Sequence, residues 1–215
     1  MTSKEKQFDK IDWKPFLKEG LSVMGVDEVG RGCLAGPVYA GAVILNHSHW
    51  DSDLTDSKKL SEKQRLYWAE KIQSEHQVGI GVATVEEIEK LNILQATFLA
   101  MRRAIQKLSV SRALILVDGR MTIPGLPEYK QKAFVKGDLR LAPISAASIV
   151  AKVARDQLMV ELSKEYPGYG FEIHKGYATE IHRKAIQEKG PLLIHRKTFG
   201  GVKEYLASKT EDIKL

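Results

Sequence analysis

Apolar and polar positions fall in blocks along this chain, and the length and period of each block predict its element. Ser22–Asp27 is an almost unbroken apolar run ending in acid, the pattern of a buried strand. Residues 37–45 (PVYAGAVIL) and 77–84 (QVGIGVAT) have strand composition as well, and the three together predict an antiparallel meander. Ala113–Val117 (ALILV) is fully apolar, a strand for the middle of a sheet, and Ala133–Val135 is a further short one. Helical spacing takes over elsewhere. Ser61 with Gln64, and Thr84 with Glu87, are capping-box patterns that start two helices. In the second, Ile88, Leu91, Leu94, Met101, Ile105 and Leu108 recur at the spacing of one buried face. A helix is expected from about Ala146 to Glu165, stopped by Tyr166-Pro167-Gly168, and a last one between Thr179 and Gly190-Pro191. The tail EYLASKTEDIKL is expected to fray. This order of elements predicts an α/β sheet with a helical C-terminal portion. The expected division is a polar lead-in over 1–21, with one amphipathic turn around Trp13, Phe16 and Leu17. A sheet-based core follows over 22–165, and the helical portion over 166–215 completes the same domain.

Composition narrows the class. Of 215 residues, 43% are hydrophobic and 28% charged, which suits a globular chain with a real core. No apolar stretch reaches the length of a membrane span and the N-terminus is polar, so a soluble, cytoplasmic protein is expected. The single cysteine, Cys33, excludes an internal disulfide. The net charge of +6 permits a nucleic-acid partner through phosphate attraction without demanding one.

The candidate chemistry sits at strand ends, where loops of an α/β sheet splay open. Three predicted strands end in acid: Asp27-Glu28, Asp118 and Asp138. Carboxylates gathered at one point repel unless a cation neutralises them, and hard oxygen ligands select magnesium or manganese. Two such ions, about 3.5–4 Å apart, can clamp both reacting oxygens of a phosphodiester. Against this, Asp-Gly after a strand is also an ordinary turn, which covers Asp118 and leaves Asp138 ambiguous. Successive strand residues face opposite ways, so Asp27 and Glu28 share a site only if the strand breaks, and Gly30 and Gly32 offer such a break. Gly30-Arg31-Gly32 is no Walker loop. Its glycines admit a close ligand and Arg31 can donate to a phosphate or sugar; a tight turn with a solvated arginine is the plainer reading. Lys58, in Asp56-Ser57-Lys58-Lys59, suits a phosphate backbone or a solvated cap. Ser148, Lys152 and Arg155 fall within about 60° of arc on one helix, a polar stripe that faces either the site or solvent. Asp156, four residues after Lys152, reads as its ion-pair partner. His174, His182 and His195 lack metal-ligand spacing, so zinc is not expected.

Taken in order, GVDEVGRG, AGPV, DSKKLS, VDG, KGD, SAASIVAKVARD, YGFEIHKGYAT and HRKTFG span most of the chain. The series closely resembles ribonuclease HII, the prokaryotic type 2 ribonuclease H. That resemblance implies an RNase H-like fold: a mixed sheet, antiparallel meander plus parallel strands, flanked by helices. It implies that Asp27, Glu28, Asp118 and Asp138 bind two Mg2+ or Mn2+ ions and are the catalytic acids. Gly30, Arg31 and Gly32 would lie against the ribose 2′-hydroxyl at an RNA–DNA junction, and Tyr177 would pack by the junction sugar. Lys58, Ser148 and Lys152 join them as expected substrate-binding residues. The implied activity is endonucleolytic hydrolysis of the RNA strand of RNA–DNA hybrids, with cutting 5′ of ribonucleotides embedded in duplex DNA. The ends would be 5′-phosphate and 3′-hydroxyl. A monomer is expected, and no sequence feature indicates a replication partner. Two rival classes would look similar: a DNA nuclease or nucleotidyl transferase of the same architecture, and a non-catalytic hybrid-binding module.

Overall fold

Strands β1 (Ser22–Val29), β2 (Val38–Ile44) and β3 (Gln77–Ala83) form the expected antiparallel meander. Strands β4 (Ala113–Asp118) and β5 (Lys130–Phe134) then extend the sheet from β1 in parallel, giving the order β3-β2-β1-β4-β5. The computed structural model describes residues 9–17, 21–46, 60–110, 112–126 and 129–212. Alternation along β1 splits the core in two. Met24 and Val26 face a layer built on α2 (Val85–Gln106), together with Ile88, Phe98, Met101 and Ile105. Val23, on the other face, joins a layer of α1 (Glu62–Glu75) and α3 (Ala142–Glu165), with Ile72, Ile144 and Ile149. Among the described residues no helix is long and apolar enough to cross a membrane.

Both helical layers lie close on the sheet because the sheet strands carry glycine where the helices cross. A Cβ on Gly41 would stand 2.3 Å from the Ala147 carbonyl oxygen of α3, and one on Gly81 2.0 Å from that of Ala100 in α2. Backbone blocks both, so no side-chain rotation makes room.

Several elements depart from expectation, each for a local reason. Helix α3 starts a turn early, at Ala142, because Pro143 is tolerated in a first turn whose N–H groups have no intrahelical acceptor. Helix α2 is interrupted at Asn92 (φ 66°, ψ 165°). The Asn92 side chain accepts from the N–H groups of Leu94 and Gln95, capping the second half, and Leu91 is left 42% exposed rather than on the buried face. Strand β5 occupies Lys130–Phe134 rather than Ala133–Val135. Its Lys130 and Lys132 hid it, yet lysine is a normal guard on an edge strand. Trp13 is buried as the lead-in turn required, while Leu17 is exposed. After α4 (Phe171–His174) and α5 (Glu180–Lys189), the part of the tail expected to fray that is described forms α6 (Lys203–Asp212), and residues 213–215 lie outside the described residues. Tyr205 and Leu206 pack against Leu34, Ile186 and Val202.

The Gly81→Ala variant is expected to lose about 1–3 kcal/mol of stability or fail to fold, since α2 must lift off the sheet. A urea titration against the parent protein measures it; an unchanged midpoint would refute the close-contact account.

Candidate active site

The four acids meet at one end of β1. Pairing between β1 and β4 stops at Val26–Val117, which leaves Asp27 level with Asp118 and carries Glu28 past the end of the parallel neighbour. Asp118 is the last residue of β4. Asp138 lies in a 3-10 turn (Gly137–Leu139), entered through left-handed Lys136 (φ 54°). That turn aims the N–H groups of Gly137 (2.6 Å) and Asp138 (3.4 Å) at Asp118 Oδ1, tying the two acids together. All four line one cavity of about 300 Å³ with Gly30, Arg31, Gly32, Arg65, Ser148, Lys152 and Tyr177.

The expected strand break between Asp27 and Glu28 does not occur. β1 stays paired with β2 through Val29–Tyr39. Asp27 takes the α3 side and is hydrogen-bonded by the Ser148 side chain, whereas Glu28 has the opposite parity. Both reach the cavity because it wraps the strand where β4 no longer covers it.

The electrostatics are those of a crowded acid cluster. Burial, then the neighbouring charges of Glu28 and Asp118, hold the Asp27 carboxyl well above the usual carboxylate range; Ser148 pulls it back and Asp138 adds to the rise. Burial also raises Glu28, opposed chiefly by Arg31, whose Nη1 lies 3.3 Å from Glu28 Oε1. This set of hard oxygens could hold Mg2+ or Mn2+, which would relieve the repulsion. Among the described residues, no three acid, histidine or cysteine side chains are closed around a single point. Asp27, Glu28 and Asp118 are each turned to a nearby donor instead: the Glu28 N–H at 2.7 Å, Arg31 and the Gly137 N–H.

Beside the acids, the glycine-arginine-glycine turn is held from behind by two fully buried arginines. Arg196 donates to the carbonyls of Gly30 (2.7 Å), Arg31 (2.8 Å) and Gly36 (2.8 and 3.0 Å). Arg155 donates to those of Pro37 (3.1 Å), Ala35 (3.1 Å) and Lys175 (2.8 Å). A trans peptide points its N–H opposite its carbonyl. With the Gly30 and Arg31 carbonyls drawn inward, the N–H groups of Arg31 and Gly32 face outward, where both residues are exposed. Gly30 has φ 90°, and a Cβ there would lie 2.2 Å from Arg155 Nε, so only glycine fits.

The remaining expected residues divide. Ser148, Lys152 and Tyr177 line the cavity; Tyr177 is 38% exposed, with Lys152 Nζ 5.6 Å from its ring centroid. Lys152 also pairs with Asp156 at 2.5 Å, as their spacing predicted. Arg155 does not share the stripe's outlook: it is spent on the three carbonyls. Lys58 lies outside the described residues. Arg65, which lines the cavity from α1, drew no notice in the sequence, because a cation on a charged helix face carries no signal. Arg196 lies in the HRKTFG motif, but nothing in that motif shows that its side chain faces inward.

Comparison with known proteins agrees with this arrangement. A model of the ribonuclease HII family matches residues 24–201. Ribonuclease HII of Vibrio vulnificus (strain YJ016) is 52% identical over 185 residues, covering 86% of this chain and 88% of that one. Ribonuclease HII of Maricaulis maris is 48% identical over 187 residues, 87% of this chain and 85% of the relative. Among solved structures, ribonuclease H2 of Pyrococcus horikoshii OT3 superposes with a TM-score of 0.73 at 24% identity, over 89% of this chain and all of that one. Bst-RNase HIII in complex with Mn2+ gives 0.70 at 20% identity, over 89% and 71%. The PCNA:RNase HII complex of Archaeoglobus fulgidus gives 0.72 at 24%, over 83% and 95%. At these identities the structures speak for the fold, a mixed ribonuclease H sheet. The family match, nearly the length of the chain, together with relatives near half identity, places this chain in the ribonuclease HII family, the ribonuclease H class of hydrolases.

Proposed function

We propose that this chain is an endoribonuclease that hydrolyses the RNA strand of RNA–DNA hybrids and cuts 5′ of ribonucleotides embedded in duplex DNA. Two divalent ions, Mg2+ or Mn2+, would be held by Asp27, Glu28, Asp118 and Asp138. The observation that carries the reading is the placement of four acids and the glycine-arginine-glycine turn on one cavity. The Mn2+ complex of Bst-RNase HIII supports the choice of metal.

Ions held by these four acids would supply a nucleophilic water and charge stabilisation for the departing 3′-oxygen. The chain's own residues do the rest. The outward N–H groups of Arg31 and Gly32 are donors for a 2′-hydroxyl or the adjacent phosphate, and the 2′-hydroxyl is what separates RNA from DNA. Tyr177 offers a flat surface for the sugar at the junction. Ser148 keeps one Asp27 oxygen oriented, and Lys152 and Arg65 place positive charge beside the path of the backbone. The PCNA named in the Archaeoglobus fulgidus structure is a partner of that protein; a similar partner here would be a separate matter from the chemistry.

A DNA duplex with one embedded ribonucleotide, incubated with and without Mg2+, tests the reading. Cleavage is expected only with Mg2+, 5′ of the ribonucleotide, leaving 5′-phosphate and 3′-hydroxyl ends. Ends carrying 2′,3′-cyclic phosphate would make the 2′-hydroxyl the nucleophile and defeat the proposal, and cutting of an all-DNA duplex would favour a different nuclease. The Asp118→Asn variant is expected to lose about 10²–10³-fold in turnover, because metal-borne charge stabilisation is worth several kcal/mol. Hybrid binding, which rests on phosphate contacts, should persist in a filter-binding assay.

A further inference from the structure

Three imidazoles that the chemistry above does not use lie buried behind Tyr177: His174, His182 and His195. Their ring contacts fix their protons. The N–H of Gly176 points at His174 Nδ1 (3.1 Å) and that of Leu192 at His195 Nδ1 (2.8 Å), so both these nitrogens accept. The carbonyl of Tyr169 faces His174 Nε2 (2.7 Å) and that of Tyr177 faces His182 Nδ1 (2.9 Å), so both those nitrogens donate. His195 is left with its proton on Nε2, which it gives to His182 Nε2 at 3.0 Å. One set of neutral tautomers satisfies all six nitrogens, and a proton added to any ring would face another N–H. Burial accordingly pushes His182 and His195 down to about 4, and lowers His174. Glu172, Lys175 and Arg183 are the charged groups around the cluster.

The relay ends on a strained segment. Lys175 is left-handed (φ 51°), as is Gly176 (φ 83°), where a Cβ would lie 2.7 Å from the Ala35 carbonyl oxygen. A non-glycine residue in that region persists when its surroundings over-determine it. Here they do: Tyr177 donates its N–H to His174 O (2.9 Å), and its carbonyl takes both the Thr179 N–H (2.8 Å) and His182 Nδ1. The same relay reaches the far side of the cavity wall, since Tyr177 bridges to Cys33 and His195 to Ala35, on either side of Leu34.

We infer that His182, backed by His195, is a positioning residue that aims Tyr177 into the active-site cavity and so governs recognition of the sugar at an RNA–DNA junction. The inference rests on the proposed function of that cavity. Imidazole suits the task because its two nitrogens, one donor and one acceptor, face opposite ways and join Tyr177 to the segment 192–195. A purely structural role would have the three rings serve only as packing for Phe171, whose ring lies 5.4 Å from that of His182.

The test uses two amide substitutions that copy one nitrogen each. Asparagine places its amide near Nδ1 and keeps the donation to Tyr177, whereas glutamine reaches the Nε2 position and keeps only the contact with His195. The readout is the ratio of kcat/KM on a duplex with one embedded ribonucleotide to that on a continuous RNA–DNA hybrid. His182→Gln is expected to lower this ratio about three- to tenfold, the effect of one lost hydrogen bond, and His182→Asn to restore it. In a Tyr177→Ala background, His182→Gln should change the ratio no further. Equal behaviour of the asparagine and glutamine variants, or multiplying effects of His182→Gln and Tyr177→Ala, would overturn the inference. If His182→Gln does not fold by circular dichroism, His195→Asn carries the same test: it keeps the Leu192 contact and removes the proton that supports His182. If Tyr177→Ala leaves the ratio unchanged while His182→Gln lowers it, the assignment to Tyr177 fails. A wild-type protein that ignores the embedded ribonucleotide would instead sink the proposed function, and this inference with it.

Discussion

Two cations in the interior, Arg155 and Arg196, hold the working parts of this protein together. Neither is exposed, and the partners of both are main-chain carbonyls. Taking a guanidinium out of water costs several kcal/mol, and the carbonyls offset it here, accepting three hydrogen bonds from Arg155 and four from Arg196. Burial lowers Arg196 to about 10, so it stays charged at neutral pH. Because its acceptors belong to Gly30, Arg31 and Gly36, and those of Arg155 to Ala35, Pro37 and Lys175, the pair pins the turn after β1 to the segment that carries Tyr177. The turn's outward N–H groups, the glycine requirement at position 30 and the placement of the tyrosine all follow from that pinning.

The acids form the other half of the balance. Asp27 is buried among three more carboxylates, and the side chains relieve the repulsion locally by turning to Ser148, Arg31 and the Gly137 N–H. A cluster that accepts such crowding is stable only because the sheet leaves it nowhere to go: β4 ends at Asp118, β1 overshoots it, and the 3-10 turn brings Asp138 back over both. Negative charge at the strand ends thus sits next to a turn with outward donors, so one cavity can attract a hard cation and receive an anionic backbone. The neutral histidines behind Tyr177 add rigidity without adding charge to this field.

Much of this was legible beforehand. The apolar runs and capping boxes located the meander, β4, α1, α2 and α5, and the strand-end rule drew attention to Asp27, Glu28, Asp118 and Asp138. What escaped did so for identifiable reasons. Lys130 and Lys132 disguised an edge strand, and Pro143 masked the first turn of α3. Asn92 looked like one more polar residue on a helix. Arc on a helical wheel grouped Arg155 with Ser148 and Lys152, but a wheel says nothing about what packs above each position, and Arg155 met carbonyls instead of solvent. Histidines 8 and 13 residues apart show no relation until the chain folds them together.

By itself, then, the order of residues determined most of the elements and the family, and singled out four acids as candidates, because those depend on local periodicity and on short motifs read in line. Only the tertiary structure decided that Glu28 shares a cavity with Asp27 despite an unbroken strand, and that Arg155 and Arg196 face inward. It alone joined His182 to His195 and to Tyr177. Those outcomes are set by contacts across up to 166 positions of sequence, such as Arg196 on Gly30, and no local pattern encodes which buried carbonyl a distant donor will find.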